Sequence, residues 1–441
     1  MKKNKTQTPH LSQDNLNNEM MSFIANSPTP FHAVLNLQEI LKVYQFSELK
    51  ESEKWDLKQN GRYFVTKNDS SLAAFVVGNR PAQKSSFKII GAHTDSPNLK
   101  VKPKPDKIFK NFHQLGVEVY GGVLLSTWFD RDLSLAGRVH FENKKGALQS
   151  ALVDFKSAVA IIPSLAIHLN RTVNENQSIN PQKELPPILL QIQDKNNDFR
   201  NILASKLSKD GYPVSKILDF ELSFYDKNPP AFVGLHDDFI ASARLDNLLS
   251  CFVAIKGLIA SLDNKTAATK VMICQDHEEV GSCSHIGAEG PFLPSILERI
   301  CFDRESFHQS IKNSIMISSD NAHGVHPNYA EKYDENHGPI LNAGPVIKIN
   351  ANQRYATNSE TASLFAKLCE DLKVPYQRFV VRADMGCGST IGPLTSANVG
   401  LKVVDVGVPT FAMHSIRELC GGKDSVFLAE VFKSFYSRED L

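Results

Sequence analysis

Two adjacent acidic residues, Glu278 and Glu279, are the first candidates for chemistry in this chain. They follow an apolar run at 271–273 and precede glycines at 281 and 287, a pattern typical of a buried strand that opens into a loop. Like charges in one site repel and raise each other's pKa, so the pair is costly unless a cation neutralises it. A metal ion would do so, with one carboxylate binding it and the other moving a proton. A solvated acidic turn is the alternative.

Other metal-binding side chains also follow apolar runs. His93 and Asp95 come after the run at 87–90, and Asp320 and His414 come after the runs at 314–317 and 403–408. A neutral imidazole is the commonest metal ligand and needs its second nitrogen held by a carboxylate or carbonyl, a role that Asp95 could fill. A helix N-cap aspartate beside an incidental histidine is the alternative for this pair.

A fifth candidate, Asp246, precedes apolar residues at helical spacing between positions 248 and 259, so we expect it at the start of a helix. An N-capping aspartate is the plain interpretation, because the helix dipole favours a negative charge there. A carboxylate shared between two metal ions is the functional one.

Imidazole and carboxylate are mixed in this set, which suits two ions of the zinc, cobalt or manganese kind. Asp246 would bridge the ions, His93 and Asp320 would bind one, and Glu279 and His414 would bind the other. Two such ions about 3.5–4 Å apart can activate a water molecule and polarise a carbonyl. Glu278 would then be the general base that later donates the proton to a leaving amine.

The elements that must position these residues follow an α/β pattern with a β-rich interruption. Thr29 and Pro30 predict a helix start, residues 61–78 alternate as strands do, and residues 1–18 predict a polar, frayed arm. The stretch 101–105 predicts a stiff crossover into another module, and the α/β pattern resumes at 236–262. Strands are predicted in the β-rich part at 116–120, 123–129, 135–141, 188–192 and 217–225, with a short helix from 199 to 207.

Composition narrows the class of protein. The 441 residues are 42% hydrophobic and 22% charged, which is globular, and the net charge of +1 gives no field that favours nucleic acid or an acidic membrane. No apolar run is long enough for a membrane span, and no signal-peptide pattern is expected at the start. The seven cysteines form no C-x-x-C pair, which favours a reducing cytoplasm.

The motifs taken together resemble the M18 family of metallo-aminopeptidases, typified by aspartyl aminopeptidase. They extend over nearly the whole chain, from Ser-Pro-Thr-Pro-Phe-His at 27–32 to the Met-His-Ser segment at 413–415. The motifs are Gly-Ala-His93-Thr-Asp95-Ser-Pro, Arg-Leu-Asp246-Asn, Asp-His-Glu278-Glu279-Val-Gly-Ser, Ser-Asp320-x-Ala-His323-x-Val-His-Pro-Asn-Tyr and Met-His414-Ser-x-Arg-Glu.

The resemblance implies a phosphorylase/hydrolase-like α/β catalytic domain, residues 1–98 and 235–441, with an inserted β-rich dimerisation domain at 99–234. It implies two divalent ions per subunit, with zinc expected, and homo-oligomers in which dimers assemble into a tetrahedral dodecamer. His168 matches a family histidine that reaches a neighbouring subunit's active site, although from the sequence alone it is an isolated histidine. His323, Lys348 and Tyr355 match residues that contact substrate, and a lysine there suits an acidic N-terminal residue.

The sequence therefore predicts a cytoplasmic aminopeptidase that removes Asp or Glu from the N-termini of short peptides. The nearer alternative is a neutral-residue aminopeptidase or another di-metal amidohydrolase, such as a deacylase. The farther is a non-catalytic scaffold that has kept its metals. Glu278 argues against the scaffold, which needs no base beside its ligands.

Overall fold

The computed structural model describes residues 13–80, 86–192, 198–301 and 303–439. They form two compact units. Unit 1 takes the chain up to Asp95, then Pro230–Met413 and the residues from Glu418 onward; unit 2 takes Ser96–Pro229 and His414–Arg417. The predicted domain ranges, 1–98 and 235–441 for a catalytic domain and 99–234 for a dimerisation domain, stay predictions.

Unit 1 is built on a nine-stranded mixed sheet. Its strands, numbered in chain order and given in spatial order, are β1 (Ser47–Glu48), β2 (Arg62–Lys67), β3 (Ser71–Val76), β13 (Thr269–Gln275), β4 (Phe87–His93), β14 (Ile315–Ser319), β18 (Lys402–Gly407), β16 (Val346–Ile349) and β17 (Gln377–Val380). The neighbours β13, β4, β14 and β18 are parallel. Their carboxyl ends therefore meet at one edge, where ligands bind in open α/β sheets.

Helices cover both faces of this sheet. Met272 and Cys274 point into one apolar cluster and Val271 and Ile273 into another, so β13 has no solvent-facing side. Burial on both faces explains why the parallel strands are continuous apolar runs in the sequence. The helices of unit 1 are α1 (Gln13–Ala25), α2 (Pro30–Val43), α5 (Leu245–Ala260), α6 (Phe292–Cys301), α7 (Arg304–Lys312), α8 (Ser359–Leu372), α9 (Ile391–Val399) and α10 (Asp424–Ser437). None of the described helices is long and apolar enough to span a bilayer.

A smaller five-stranded sheet completes unit 1. Its strands, in spatial order, are β11 (Ala231–Val233), β12 (Phe239–Ser242), β20 (Glu418–Gly421), β19 (Pro409–Phe411) and β15 (Ala322–His323).

The sequence predicted the start of α2 correctly and missed the start of α1. α2 begins at Pro30 with Thr29 as its N-cap, as predicted. The predicted arm at 1–18 is wrong for residues 13–18, which open α1, while residues 1–12 lie outside the described residues. α1 buries Leu16, Met20 and Phe23 at helical spacing, and the polar residues between them hide that stripe.

Unit 2 contains a six-stranded antiparallel sheet. In spatial order its strands are β8 (Leu148–Asp154), β7 (Leu133–Asn143), β10 (Val214–Asp226), β5 (Asn98–Phe109), β6 (Phe112–Tyr120) and β9 (Ile188–Gln191), and its helices are α3 (Pro181–Glu184) and α4 (Phe199–Lys209).

Two of the sequence predictions for unit 2 are wrong. The expected crossover at 101–105 lies inside β5, where its register against β6 shifts between Val101 and Asp106 because prolines cannot donate to the ladder. The expected strand at 123–129 contains a 3₁₀ helix, Leu125–Trp128.

Candidate metal centre

The candidate ligands of unit 1 gather at the carboxyl edge of the central strands. His93 ends β4, Asp320 directly follows β14, and Glu278 and Glu279 open a short 3₁₀ helix, Glu278–Val280, just beyond β13. The three strands are adjacent and parallel, so residues far apart in the chain lie side by side.

His93 lies at the centre of this group. Its Nε2 is 3.4 Å from Asp246 Oδ1, 3.5 Å from Asp320 Oδ1 and 3.9 Å from Glu278 Oε2. Its Nδ1 is 3.1 Å from the carbonyl oxygen of Asp95. A carbonyl only accepts hydrogen bonds, so in the neutral ring Nδ1 carries the proton and Nε2 keeps the lone pair that a metal needs.

The buried carboxylate of Asp95 orients the glutamate pair. Its Oδ1 accepts the backbone N–H of Glu278 at 3.2 Å, and its Oδ2 accepts that of Glu279 at 3.1 Å. The Oδ1 atom also lies 3.3 Å from His93 Nδ1. One side chain therefore fixes both the loop that carries the acids and the imidazole that faces them.

Asp246 is held by contacts that the sequence analysis did not assign. Its backbone N–H donates to Glu418 Oε2 at 3.0 Å, and Asn247 Nδ2 donates to the Ser319 carbonyl at 2.8 Å. Asp246 and Asn247 have non-helical dihedral angles, so the regular part of α5 begins after them. Glu418 belongs to the Met-His-Ser-x-Arg-Glu motif, which was the only signal that could have pointed to it.

Burial and mutual repulsion perturb the acids. Burial raises the pKa of Glu278 to about 8, with the charge of His93 opposing and the neighbouring carboxylates adding to it. Burial likewise raises the pKa of Glu279 well above its ordinary value. Burial opposes ionisation of Asp320, yet Lys348 and then His93 lower its pKa. For His93, burial acts to lower the pKa, but Glu278 and the surrounding carboxylates raise it well above its ordinary value.

The residues present fit divalent ions of the zinc kind. Among the described residues of unit 1, two groups have one ligand atom per residue within 4.8 Å of one another: His93, Asp246 and Asp320, and His93, Glu278 and Glu279. The donor set mixes imidazole and carboxylate, which suits zinc, cobalt or manganese. It also holds more negative than positive charge, which a divalent cation would relieve.

The predicted substrate contacts of unit 1 lie beside Asp320. The buried Lys348 Nζ donates to Asp320 Oδ2 at 3.2 Å and to the Asn321 carbonyl at 3.1 Å, and it lies 5.1 Å from the Tyr355 ring centroid. The Tyr355 and His323 rings both pack against Phe379, at 6.5 and 5.7 Å between centroids.

The remaining two predicted site residues belong to unit 2. His414 Nδ1 donates to the Gly122 carbonyl at 2.9 Å, which places the lone pair of a neutral ring on Nε2. His168 is exposed in the 3₁₀ helix Ile167–Leu169.

Comparison with known proteins points to a family of zinc metalloproteases. The family model described as "Aminopeptidase I zinc metalloprotease (M18)" matches residues 23–436. The "Probable M18 family aminopeptidase 2" of Pseudomonas fluorescens strain Pf0-1 is 55% identical over 431 residues, which are 97% of this chain and 100% of that protein. The corresponding protein of Pseudomonas aeruginosa strain UCBPP-PA14 is 54% identical over 97% of this chain and 99% of its own length.

Solved structures show the same relationship. A cryo-EM structure of an Ape4 and Nbr1 complex matches with a TM-score of 0.93 and 40% identity, over 96% of this chain and 86% of that one. The S. cerevisiae mApe1 dodecamer matches with a TM-score of 0.85 and 28% identity, over 97% of each chain. With a family match over nearly its full length and relatives more than half identical, this chain belongs to the M18 family of metallo-aminopeptidases.

Proposed function

We propose that this aminopeptidase is dinuclear and removes single N-terminal residues from short peptides, with a preference for Asp and Glu. The observation that carries the proposal is the buried group around His93, in which Asp246 and Asp320 lie within 3.5 Å of its Nε2. Glu278 lies at 3.9 Å from the same atom. Ligands and a proton carrier are thereby brought together at one sheet edge.

His93, Asp246, Glu279 and Asp320 would hold the ions, with Asp246 shared between them, and the family description favours zinc. Cobalt or manganese would suit the same donors. When bound, two divalent ions would polarise the peptide carbonyl and lower the pKa of the attacking water. The ligand role of His414 and the substrate role of His168 stay predictions from the sequence.

Glu278 is the proposed general base. It takes a proton from the attacking water as the water oxygen bonds to the carbonyl carbon, and it gives that proton to the amine nitrogen as the C–N bond breaks. Burial, which raises the pKa of this carboxyl, helps it to hold the proton between the two steps. Asp95 keeps the Glu278 backbone in place through the 3.2 Å hydrogen bond.

The acidic preference rests on Lys348, a buried cation near the candidate ligands, with His323 and Tyr355 as further substrate contacts. Charge pairing in a partly dry pocket would select a carboxylate side chain. A neutral-residue preference is the second candidate. It is favoured by the hydrogen bond that already joins Lys348 Nζ to Asp320 at 3.2 Å.

Release of a chromogenic amine from Asp-, Glu- and Leu-linked substrates tests these proposals, with metal-loaded and chelator-treated enzyme compared. Chelator-sensitive release that favours Asp and Glu is the expected result. Chelator-sensitive release that favours Leu would keep the metal mechanism and overturn the acidic preference. If metals are bound and none of the substrates is cleaved, the deacylase or scaffold interpretation replaces the proposal.

We also propose that unit 1 is a phosphorylase/hydrolase-like catalytic domain and unit 2 an inserted dimerisation domain. Support comes from the parallel centre of the nine-stranded sheet and from the β5–β6 hairpin, whose Ile108 and Phe109 are 59% and 70% exposed. The solved mApe1 relative is a dodecamer, and dimers that build a tetrahedral dodecamer are the proposed assembly here. Light scattering would measure the mass. A cytoplasmic location stays a prediction.

A further inference from the structure

Asp405 is a fully buried carboxylate that the proposed reaction does not use. It lies in β18, the strand next to β14, and has no exposed surface. A buried carboxylate is costly unless its neighbours satisfy it, so its hydrogen-bond partners indicate what it holds together.

Those partners come from two loops beside the candidate centre. We define the Tyr355 loop as residues 350–358 and the glycine-rich loop as residues 382–390. Asp405 Oδ2 accepts the backbone N–H of Ala356 at 2.6 Å, and Oδ1 accepts the hydroxyl of Thr390 at 2.6 Å. The Asp405 N–H in turn donates to Thr357 Oγ1 at 2.9 Å. One residue of the sheet thus fastens both loops.

The first turn of α9 packs closely against the carboxylate of Asp405. A Cβ on Gly392 would lie 2.3 and 2.5 Å from the two carboxylate oxygens of Asp405, so only glycine allows the helix to approach this closely. Thr390 is the N-cap of α9 and links that helix to Asp405. The helix dipole also favours the negative charge there.

Hydrogen bonds also join the Tyr355 loop directly to the glycine-rich loop. Ser389 Oγ donates to the Arg354 carbonyl at 3.2 Å, and Arg354 Nε donates to the Cys387 carbonyl at 3.4 Å. Asp405 is therefore connected through Ala356 to Tyr355, one of the two buried predicted substrate contacts.

We propose that Asp405 is a positioning residue that holds the Tyr355 loop and the glycine-rich loop in the arrangement that binds substrate. This inference rests on the proposed function, because it assigns those loops to the substrate side of that site. Asp405 does not touch the reacting atoms. It acts through its hydrogen bonds with Ala356, Thr357 and Thr390.

Asp405→Asn tests the role, since it keeps the shape but removes the charge and one acceptor. The expected result is a KM for the preferred aminoacyl substrate that rises about tenfold, as for loss of a hydrogen bond to a charged group. The kcat and the bound metal per subunit should stay within about twofold, because these hydrogen bonds of Asp405 go to Ala356, Thr357 and Thr390 and not to candidate ligands. Thr390→Val should raise KM in the same direction, and Thr390→Ser, which keeps the hydroxyl, should restore it.

Thr395→Val is the matched control. Thr395 lies on α9, is buried, and its Oγ1 has no hydrogen-bond partner among the described residues. The substitution perturbs the same helix without touching Asp405, so KM should stay at the wild-type value.

The rate of thiol labelling gives a second measurement that does not depend on catalysis. Cys283 is exposed, Cys387 is partly exposed, and the other five cysteines are buried, so a Cys283→Ser background leaves Cys387 as the accessible thiol. Asp405→Asn should speed the labelling of Cys387 by a thiol reagent about tenfold, while Thr395→Val should leave the rate unchanged.

The inference is overturned if Asp405→Asn leaves both KM and the labelling rate unchanged. It is also overturned if Thr395→Val reproduces the changes, or if kcat and metal content fall instead of KM rising. If the wild-type enzyme cleaves no substrate, the proposed function fails. The labelling rates of Cys387 then show whether Asp405 holds the two loops in place. An unchanged rate in Asp405→Asn overturns the inference by itself.

Discussion

At the scale of single residues, Glu278 and Glu279 are neighbours in the chain with different expected roles. Glu278→Gln should keep the bound metal, since Glu279 and the other candidate ligands remain, but lose the proton carrier. We expect kcat to fall by about a hundredfold or more, the range for loss of general acid–base catalysis. Metal analysis and initial rates check this, with Glu298→Gln on the exposed side of α6 as the matched control. A near-normal kcat in Glu278→Gln removes this residue from the base role.

Asp424 gives a prediction for stability against pH. Its buried carboxylate accepts the N–H groups of Asn342 at 2.6 Å and Gly344 at 2.9 Å. Burial raises its pKa to about 7, although these two bonds oppose the rise. Because the pKa is higher in the folded than in the unfolded chain, the stabilisation is complete below about pH 4 and is lost as the pH rises through about 7.

Urea unfolding of the metal-loaded protein at about pH 5 and about pH 8 measures this effect. The wild type should lose on the order of 2 kcal/mol more of its free energy of unfolding between the two pH values than Asp424→Asn does. Metal is kept saturating so that the acids around His93 stay ionised at both pH values. Equal pH dependence in the two proteins contradicts the assignment.

His93, Glu279 and Asp320 could be proposed as candidate ligands from the sequence because each lies at or just beyond the end of an apolar strand. The hydrogen-bond partners that hold the site together could not be predicted. Asp246 is held by Glu418, and Lys348 is bound by Asp320, and each contact joins distant parts of the chain. Asp405 gave no signal because one acid within the apolar stretch 403–408 looks like any strand residue. Its importance comes from loops that the fold brings to it.

At the scale of elements, the β7–β10 pair depends on one glycine. Gly137 in β7 has φ +153° and pairs with Leu222, and an added Cβ would lie 1.9 Å from the Glu221 carbonyl oxygen. Gly137→Ala therefore forces the strands apart, and we expect a loss of about 3 kcal/mol in the free energy of unfolding.

Gly146→Ala is the control for backbone strain alone. Gly146 has φ +79°, and none of the described atoms lies within 4 Å of its added Cβ. The expected cost is about 1 kcal/mol. Urea midpoints of the two variants compare the costs, and equal midpoints would show that the close approach at Gly137 relaxes freely.

Strands buried on both faces were predictable as apolar runs, as β4, β13, β14 and β18 show. Elements with interrupted patterns were not. β5 runs through Pro103 and Pro105 because its register shifts there, whereas proline-rich sequence alone favours a crossover. α1 hides its apolar stripe among polar residues, and only packing against the core reveals it.

At the scale of the whole molecule, unit 2 carries one group of exposed apolar residues that an assembly would bury. Leu165, Ile167 and Leu169 are 61%, 46% and 74% exposed around His168. Contiguous exposed apolar residues mark interaction sites, and a homo-oligomer would bring His168 next to a second copy. His168→Ala should then lower kcat only in the assembled enzyme.

Mixing two inactive variants tests whether His168 serves a neighbouring subunit. His168→Ala and Glu278→Gln subunits would be dissociated, combined in equal amounts and reassembled. If one subunit supplies Glu278 and its neighbour supplies His168, some mixed sites contain both intact residues. Random pairing predicts recovery of about a quarter of the wild-type rate. Each variant reassembled alone is the control, and light scattering confirms that the mixture has the wild-type mass. If full-sized mixed assemblies recover no activity, His168 serves its own subunit, because every site would then lack one of the two residues.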